Sequence, residues 1–142
     1  MQPSKQIIAF VKNFEKCKLT AYMPTPNDKP TLGWGSTGPD IKLGMRWTQE
    51  QADARFTADA NKFAAGVTAL LTGPTRQDQF DAMFSLAYNI GLAAFKGSTV
   101  LRKHNAGDYT GAANAFVMWN KQAGKVLNGL TRRRLDEAEI YR

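Results

Sequence analysis

Of 142 residues, one is cysteine and one is histidine, and no apolar run approaches the length that crosses a membrane. A lone Cys17 excludes an intramolecular disulfide, so folding needs no oxidising compartment and cytosolic synthesis is expected. A lone His104 excludes the His and Cys clusters on which zinc hydrolases depend, and is expected as a packed or exposed helix side chain. A Cys17 nucleophile with His104 as its base would join two distant segments, neither of which sits in a motif. The apolar residues 7–11 are too short a run, followed too soon by Lys12 and Glu15, to read as a signal peptide. Acidic residues are also scarce, 12 against 19 Lys and Arg, for a formal charge of +7. That balance attracts polyanions, including nucleic acids, anionic lipids and bacterial walls, without choosing among them. The one dense cluster, Arg132-Arg133-Arg134, is followed by Asp136, Glu137 and Glu139, as in a solvated helix with i,i+3 and i,i+4 pairs, so nucleic acid is not the expected partner.

What is present is mostly helical periodicity. Ile7, Ile8, Val11 and Phe14 form the apolar stripe of a helix over 4–14. Thr48 with Gln51 reads as a capping box opening a helix of about 24 residues, roughly 36 Å long, that ends at Gly73-Pro74. Thr75 with Asp78 reads as another, opening a core helix with Phe80, Met83, Phe84, Ala87 and Ile90 inward and Gly91 as its cap. Short helices follow over 92–96, 99–106 (capped by Ser98) and 109–122 (capped by Asp108), and a last one starts near Thr131. The only hairpin signal lies near the N-terminus: strands over 19–23 and 31–35 around the turn containing Pro24, Pro26, Asn27 and Asp28, with a third short strand over 41–45. The fold class is therefore α+β, mostly α, in a single domain.

Chemistry concentrates between Glu15 and Gly38. Glu15 falls at the C-terminal end of the first helix, where the macrodipole and apolar neighbours disfavour an anion while Lys12, Lys16 and Lys18 favour one; a solvated Glu in a Lys-rich helix end is the bland alternative to a general acid. Gly33 and Gly35 alternate with Leu32, Trp34 and Ser36, leaving a strand face without side chains along which a substrate, or merely another backbone, can lie. Trp34, Trp47 and Trp119 are candidates for stacking on sugars, although aromatic residues more often build cores; Trp34 is favoured by its place on the glycine strand.

The order Glu15, Leu19, Ala21-Tyr22, a turn, then Thr31-Leu32-Gly33-Trp34-Gly35 resembles the active-site stretch of the phage-type lysozymes, the muramidase endolysins of tailed bacteriophages. Downstream, Gln77-x3-Asp81-Ala82-x2-Ser85-Leu86-Ala87-Tyr88-Asn89-Ile90-Gly91, Phe95-x2-Ser98, Asn105-Ala106-Gly107-Asp108-Tyr109, Trp119-Asn120-Lys121 and Gly129-Leu130-x2-Arg133-Arg134-x2-Glu137 resemble that family's distal lobe. Two departures stand out. Pro24 occupies the place of the family's second carboxylate, in a turn one residue longer than usual whose only carboxylate is Asp28. Ser36 stands where the family has a histidine.

The resemblance implies a lysozyme-like fold, with a hairpin lobe over 12–50 and a helical lobe over 72–142 plus the N-terminal helix, linked by a helix over 48–72. It implies hydrolysis of the bond after N-acetylmuramic acid in peptidoglycan, without cofactor or metal. Two carboxylates flanking the scissile bond is the general arrangement for that chemistry. The expected catalytic residues are Glu15 as acid, Asp28 as its counterpart and Thr31 as a hydrogen-bonding partner for Asp28 or a water. The expected substrate-binding residues are Leu32, Gly33, Trp34, Ser36, Asn89, Phe95 and Arg133, the last by reaching Glu15. A monomer accumulating in the host cytoplasm and released through a holin is implied with it. A lytic transglycosylase on the same bond, or a non-catalytic cationic module binding walls or nucleic acid, are the alternatives.

Overall fold

The computed structural model describes all residues, Met1–Arg142. Seven helices and four short strands follow one another as α1 (Lys5–Glu15), β1 (Lys18–Tyr22), β2 (Thr31–Gly33), α2 (Gln49–Leu70), α3 (Gln77–Ile90), α4 (Leu92–Lys96), α5 (Thr99–Asn105), α6 (Tyr109–Ala115), β3 (Lys121–Gln122), β4 (Lys125–Val126) and α7 (Asn128–Tyr141). The chain divides into two compact units, Ala9–Lys62 and Met1–Ile8 with Phe63–Arg142, so α1 and α2 each contribute residues to both. The unit bounds thus fall inside these two helices rather than at their ends.

In the unit Ala9–Lys62, β1 and β2 pair antiparallel with Lys18 opposite Gly33 and Tyr22 opposite Thr31, an irregular register that gives β1 two extra residues. Those residues bond to a returning segment instead: the Ala21 N–H donates to Met45 O at 2.9 Å and the Trp47 N–H to Leu19 O at 3.0 Å. The strand expected over 41–45 is therefore a single bridge, Thr20 to Arg46, because Leu43 and Gly44 turn the chain. Ala21, Leu32 and Ile41, with Met45 and Trp47 against them, form the hairpin's own core. The expected capping box opens α2: the Thr48 N–H donates to Gln51 Oε1 at 2.8 Å and the Gln51 N–H to Thr48 Oγ1 at 3.1 Å.

In the other unit, the core is α3, with every residue from Gln79 to Tyr88 buried. Its cap differs from the expected Thr75 and Asp78 pair. The Arg76 N–H donates to Gln79 Oε1 at 2.9 Å, one residue on, because the Thr75 hydroxyl is committed to Gly73 O and to His104. Ser4 caps α1 and docks it on α3, its hydroxyl accepting from the Ile7 N–H and donating to Asp81 Oδ2. Ser98 and Asp108 cap α5 and α6 as expected.

The helix expected over 109–122 stops at Ala115, passes through a 3-10 turn (Phe116–Met118) and gives way to a second hairpin, β3 with β4, whose tip carries Ala123 (φ 52°) and Gly124 (φ 80°) in the left-handed region. The last helix begins at Asn128 rather than near Thr131.

Arg132-Arg133-Arg134 is not a solvated run. Arg132 is exposed, but Arg133 and Arg134 are buried with Glu137. Arg134 Nε lies 2.7 Å from Glu137 Oε1, Arg134 Nη2 donates to Oε2 at 3.0 Å, and the Ser85 hydroxyl of α3 donates to Oε2 at 2.5 Å. Burial pushes the Glu137 carboxyl above its ordinary range, against the pull of the two guanidiniums and the hydroxyl.

Candidate active site

Glu15 is the last residue of α1, half-buried. The helix ends there because Lys16 takes a left-handed conformation (φ 58°), its N–H still bonded to Lys12 O at 3.0 Å, and the chain reverses into β1. What faces the Glu15 side chain is a tight turn. The Leu32 N–H donates to Ser36 O at 3.0 Å and the Ser36 N–H to Leu32 O at 2.9 Å, closing a loop of Gly33, Trp34 and Gly35. The second strand therefore ends at Gly33, and the alternating glycines serve a turn, with φ of 66° at Gly33 and 80° at Gly35.

That geometry gives the two glycines to a turn rather than to a flat strand face. A Cβ on Gly35 would stand 2.9 Å from Glu15 Cδ and 3.3 Å from its Cγ, so the missing side chain makes room for the carboxylic acid itself. Gly33 is buried, and a Cβ there would meet the Trp47 ring at 3.0 Å. Leu32 is wholly buried in the hairpin core. Ser36 is also buried, its hydroxyl donating to Asp59 Oδ2 at 2.7 Å. Asp59 in turn accepts from Arg55 Nε at 2.9 Å, and Arg55 reaches Asp40 at 2.7 Å and Thr37 O at 2.9 Å. Leu32, Gly33 and Ser36 thus hold the turn. Trp34 is half-buried and anchored, its indole N–H donating to Asp53 Oδ1 at 2.8 Å.

Asp28 sits at the end of the turn between β1 and β2, half-buried, its N–H donating to Thr25 O at 3.1 Å and its Oδ1 accepting from the Lys29 N–H at 2.8 Å. Thr31 is buried opposite Tyr22, and its hydroxyl donates to Lys29 O at 3.0 Å, so its proton is committed to the turn while its lone pairs remain. Sequence reasoning left out Tyr22 as a site residue. Burial, then the Glu15 and Asp28 carboxylates, push its phenol above its ordinary range. Both carboxylates thus act on one phenol at the end of β1, and no periodicity in that strand pointed to it.

The other expected residues lie in the second unit. Asn89, at the end of α3, lines a cavity of about 250 Å³ with Ile90, Trp119, Lys121, Gln122 and Leu130. Phe95 is completely buried. Arg133 Nε donates to Glu137 Oε2 at 3.3 Å and its Nη2 to Ser85 O at 3.4 Å. No group of His, Cys, Asp and Glu is arranged to hold a metal ion.

A mostly helical α+β chain with an acid at the end of its first helix, set against a glycine turn, defines a lysozyme-like protein. The phage lysozyme family model matches residues 12–137, and the chain belongs to that family. It is 41% identical over 142 residues to the endolysin of Bacillus phage B103, covering 99% of this chain and 54% of that protein. It is 37% identical over 145 residues to the endolysin of Salmonella phage P22, covering 99% of this chain and 98% of that one. Among solved structures, the endolysin from Escherichia coli O157:H7 phage FAHEc1 superposes with a TM-score of 0.84 at 41% identity, over 99% of this chain and 93% of that one. The chain spans about half the length of several curated relatives that it matches, the Bacillus phage B103 endolysin at 54% among them.

Proposed function

We propose that this chain is a muramidase endolysin that hydrolyses the β-1,4 bond between N-acetylmuramic acid and N-acetylglucosamine in bacterial peptidoglycan, for host lysis and phage release. The observation that carries the proposal is the placement of Glu15, at a helix end, against a glycine whose missing side chain admits its carboxyl group. Glu15 gives its proton to the leaving glycosidic oxygen. As the bond breaks, positive charge grows on the sugar, and Asp28 either stabilises it or takes a proton from the water that adds at the anomeric carbon. Thr31 accepts a hydrogen bond from that water, which suits a hydroxyl whose own proton already goes to Lys29 O. Water attacking opposite the leaving group inverts the anomeric carbon, as the family resemblance implies. The formal charge of +7 favours approach to an anionic wall.

Residence in the host cytoplasm, release through a holin and a monomeric state complete the proposal; no helix is long and apolar enough to cross a membrane. The competing chemistry is transglycosylation, in which a hydroxyl of the muramic acid takes the place of water. Mass spectrometry of digested peptidoglycan separates the two. Reducing muramic acid ends are expected, and anhydromuramic ends would replace hydrolysis with transglycosylation.

A further inference from the structure

We propose that Asp53 is a positioning residue for Glu15, acting through Trp34 and the Gly35 turn. This rests on the muramidase proposal. The Gly35 backbone bounds the space of the Glu15 carboxyl group, so whatever fixes that turn fixes the acid. The turn is anchored at its apex. The Trp34 indole N–H donates to Asp53 Oδ1 at 2.8 Å, the Lys12 ammonium lies 4.9 Å from the indole centroid and 4.8 Å from that of Phe56, and Phe56 meets Trp34 edge-on at 6.4 Å.

Asp53 is itself held, one turn along α2, by Gln49 Nε2 at 2.9 Å. Gln49 Nε2 also lies 3.6 Å from the sulfur of Cys17, two residues beyond Glu15. The contacts therefore close a ring from the end of α1, through the start of α2 and the indole, back to Gly35 and Glu15. Lys12 joins the same ring one helical turn before the acid. An indole engaged at its N–H and at one face is a strut of the site.

The test compares Asp53→Ala with Asp53→Asn, whose amide oxygen still accepts from the indole. With soluble peptidoglycan fragments, Asp53→Ala is expected to lower kcat about tenfold with KM unchanged, a loss typical of a misplaced reacting group, and Asp53→Asn to restore it. Hydrogen exchange at the Leu32 and Ser36 amides, which close the turn, is expected to quicken in Asp53→Ala and to recover in Asp53→Asn. An unchanged kcat in Asp53→Ala, a rise in KM alone, or no rescue by Asn overturns the assignment, as does unchanged protection of the two amides. A wild-type protein that cleaves no glycosidic bond defeats the muramidase proposal instead, and the exchange measurement then still reports whether Asp53 holds the turn.

Discussion

Gly35 and Glu15 are a pair in which one residue is defined by what it lacks. Any side chain at position 35 meets two obstacles, a left-handed backbone at φ 80° and the Glu15 side chain within 3.3 Å of its Cβ. Gly44 offers a control, with φ of 90° and nothing within 4 Å of a Cβ. Both Gly→Ala changes are expected to cost about 1–2 kcal/mol in backbone conformation. Only Gly35→Ala is expected to abolish wall clearing, and equal activities in the two variants, matched for folded fraction, would remove Gly35 from the site. The place of Glu15 at a helix end was legible because the stripe of Ile7, Val11 and Phe14 runs out there. The turn was not, since glycines at alternate positions suit a flat strand and a left-handed loop equally; only the reciprocal bonds between Leu32 and Ser36 decide between them. Ser36 gains meaning in the same way. It stands at the place of the histidine in the resemblance, and its hydroxyl joins the Asp59, Arg55 and Asp40 chain that ties the turn to α2.

Between elements, the clearest device is a relay that joins α5 and α7 to the loop before α3. Tyr141 donates to His104 Nδ1 at 2.6 Å, His104 Nε2 donates to Thr75 Oγ1 at 2.8 Å, and Thr75 donates to Gly73 O at 3.1 Å, a direction of protons assigned from the final carbonyl acceptor. Every bond uses the neutral imidazole. Burial, then Arg76, lower the His104 pKa from its ordinary 6.5. Its contribution to stability is therefore complete above about pH 6.5 and is lost as pH falls toward the depressed value, because the unfolded chain takes up the proton first. Stability of the wild type to denaturant is expected to weaken as pH falls below 6.5, and that of His104→Gln to change less over the same interval. Identical slopes would remove the relay from the stability account. The single histidine was expected as packed or exposed on a helix, and it is packed; nothing local announced its two partners, which come from 29 and 37 residues away. Helix ends read well where the cap is local, as at Ser98, Asp108 and the Thr48 and Gln51 box. They read poorly where a distant group decides, as at Thr75, whose hydroxyl His104 engages. The β3 and β4 hairpin was not legible because two-residue strands carry no periodicity.

Across the whole molecule, the mostly helical α+β class was legible from periodicity, and family membership from linked motifs spread over nearly the full chain. The buried cluster of Arg133, Arg134, Glu137 and Ser85 was not. A run of three arginines beside acids at i+3 and i+4 has the composition of a solvated helix face, and only the packing of α7 on α3 turns two of them inward. In the proposed hydrolysis Glu15, at the end of α1, is the proton donor, with Asp28 and Thr31 acting on the sugar and the water. Clearing of a turbid peptidoglycan suspension by Glu15→Gln, with its circular dichroism and melting temperature set beside the wild type's, tests that most directly. A folded variant whose clearing rate falls by a factor of about 10² or more is the predicted result. A folded variant that clears walls at the wild-type rate would contradict it.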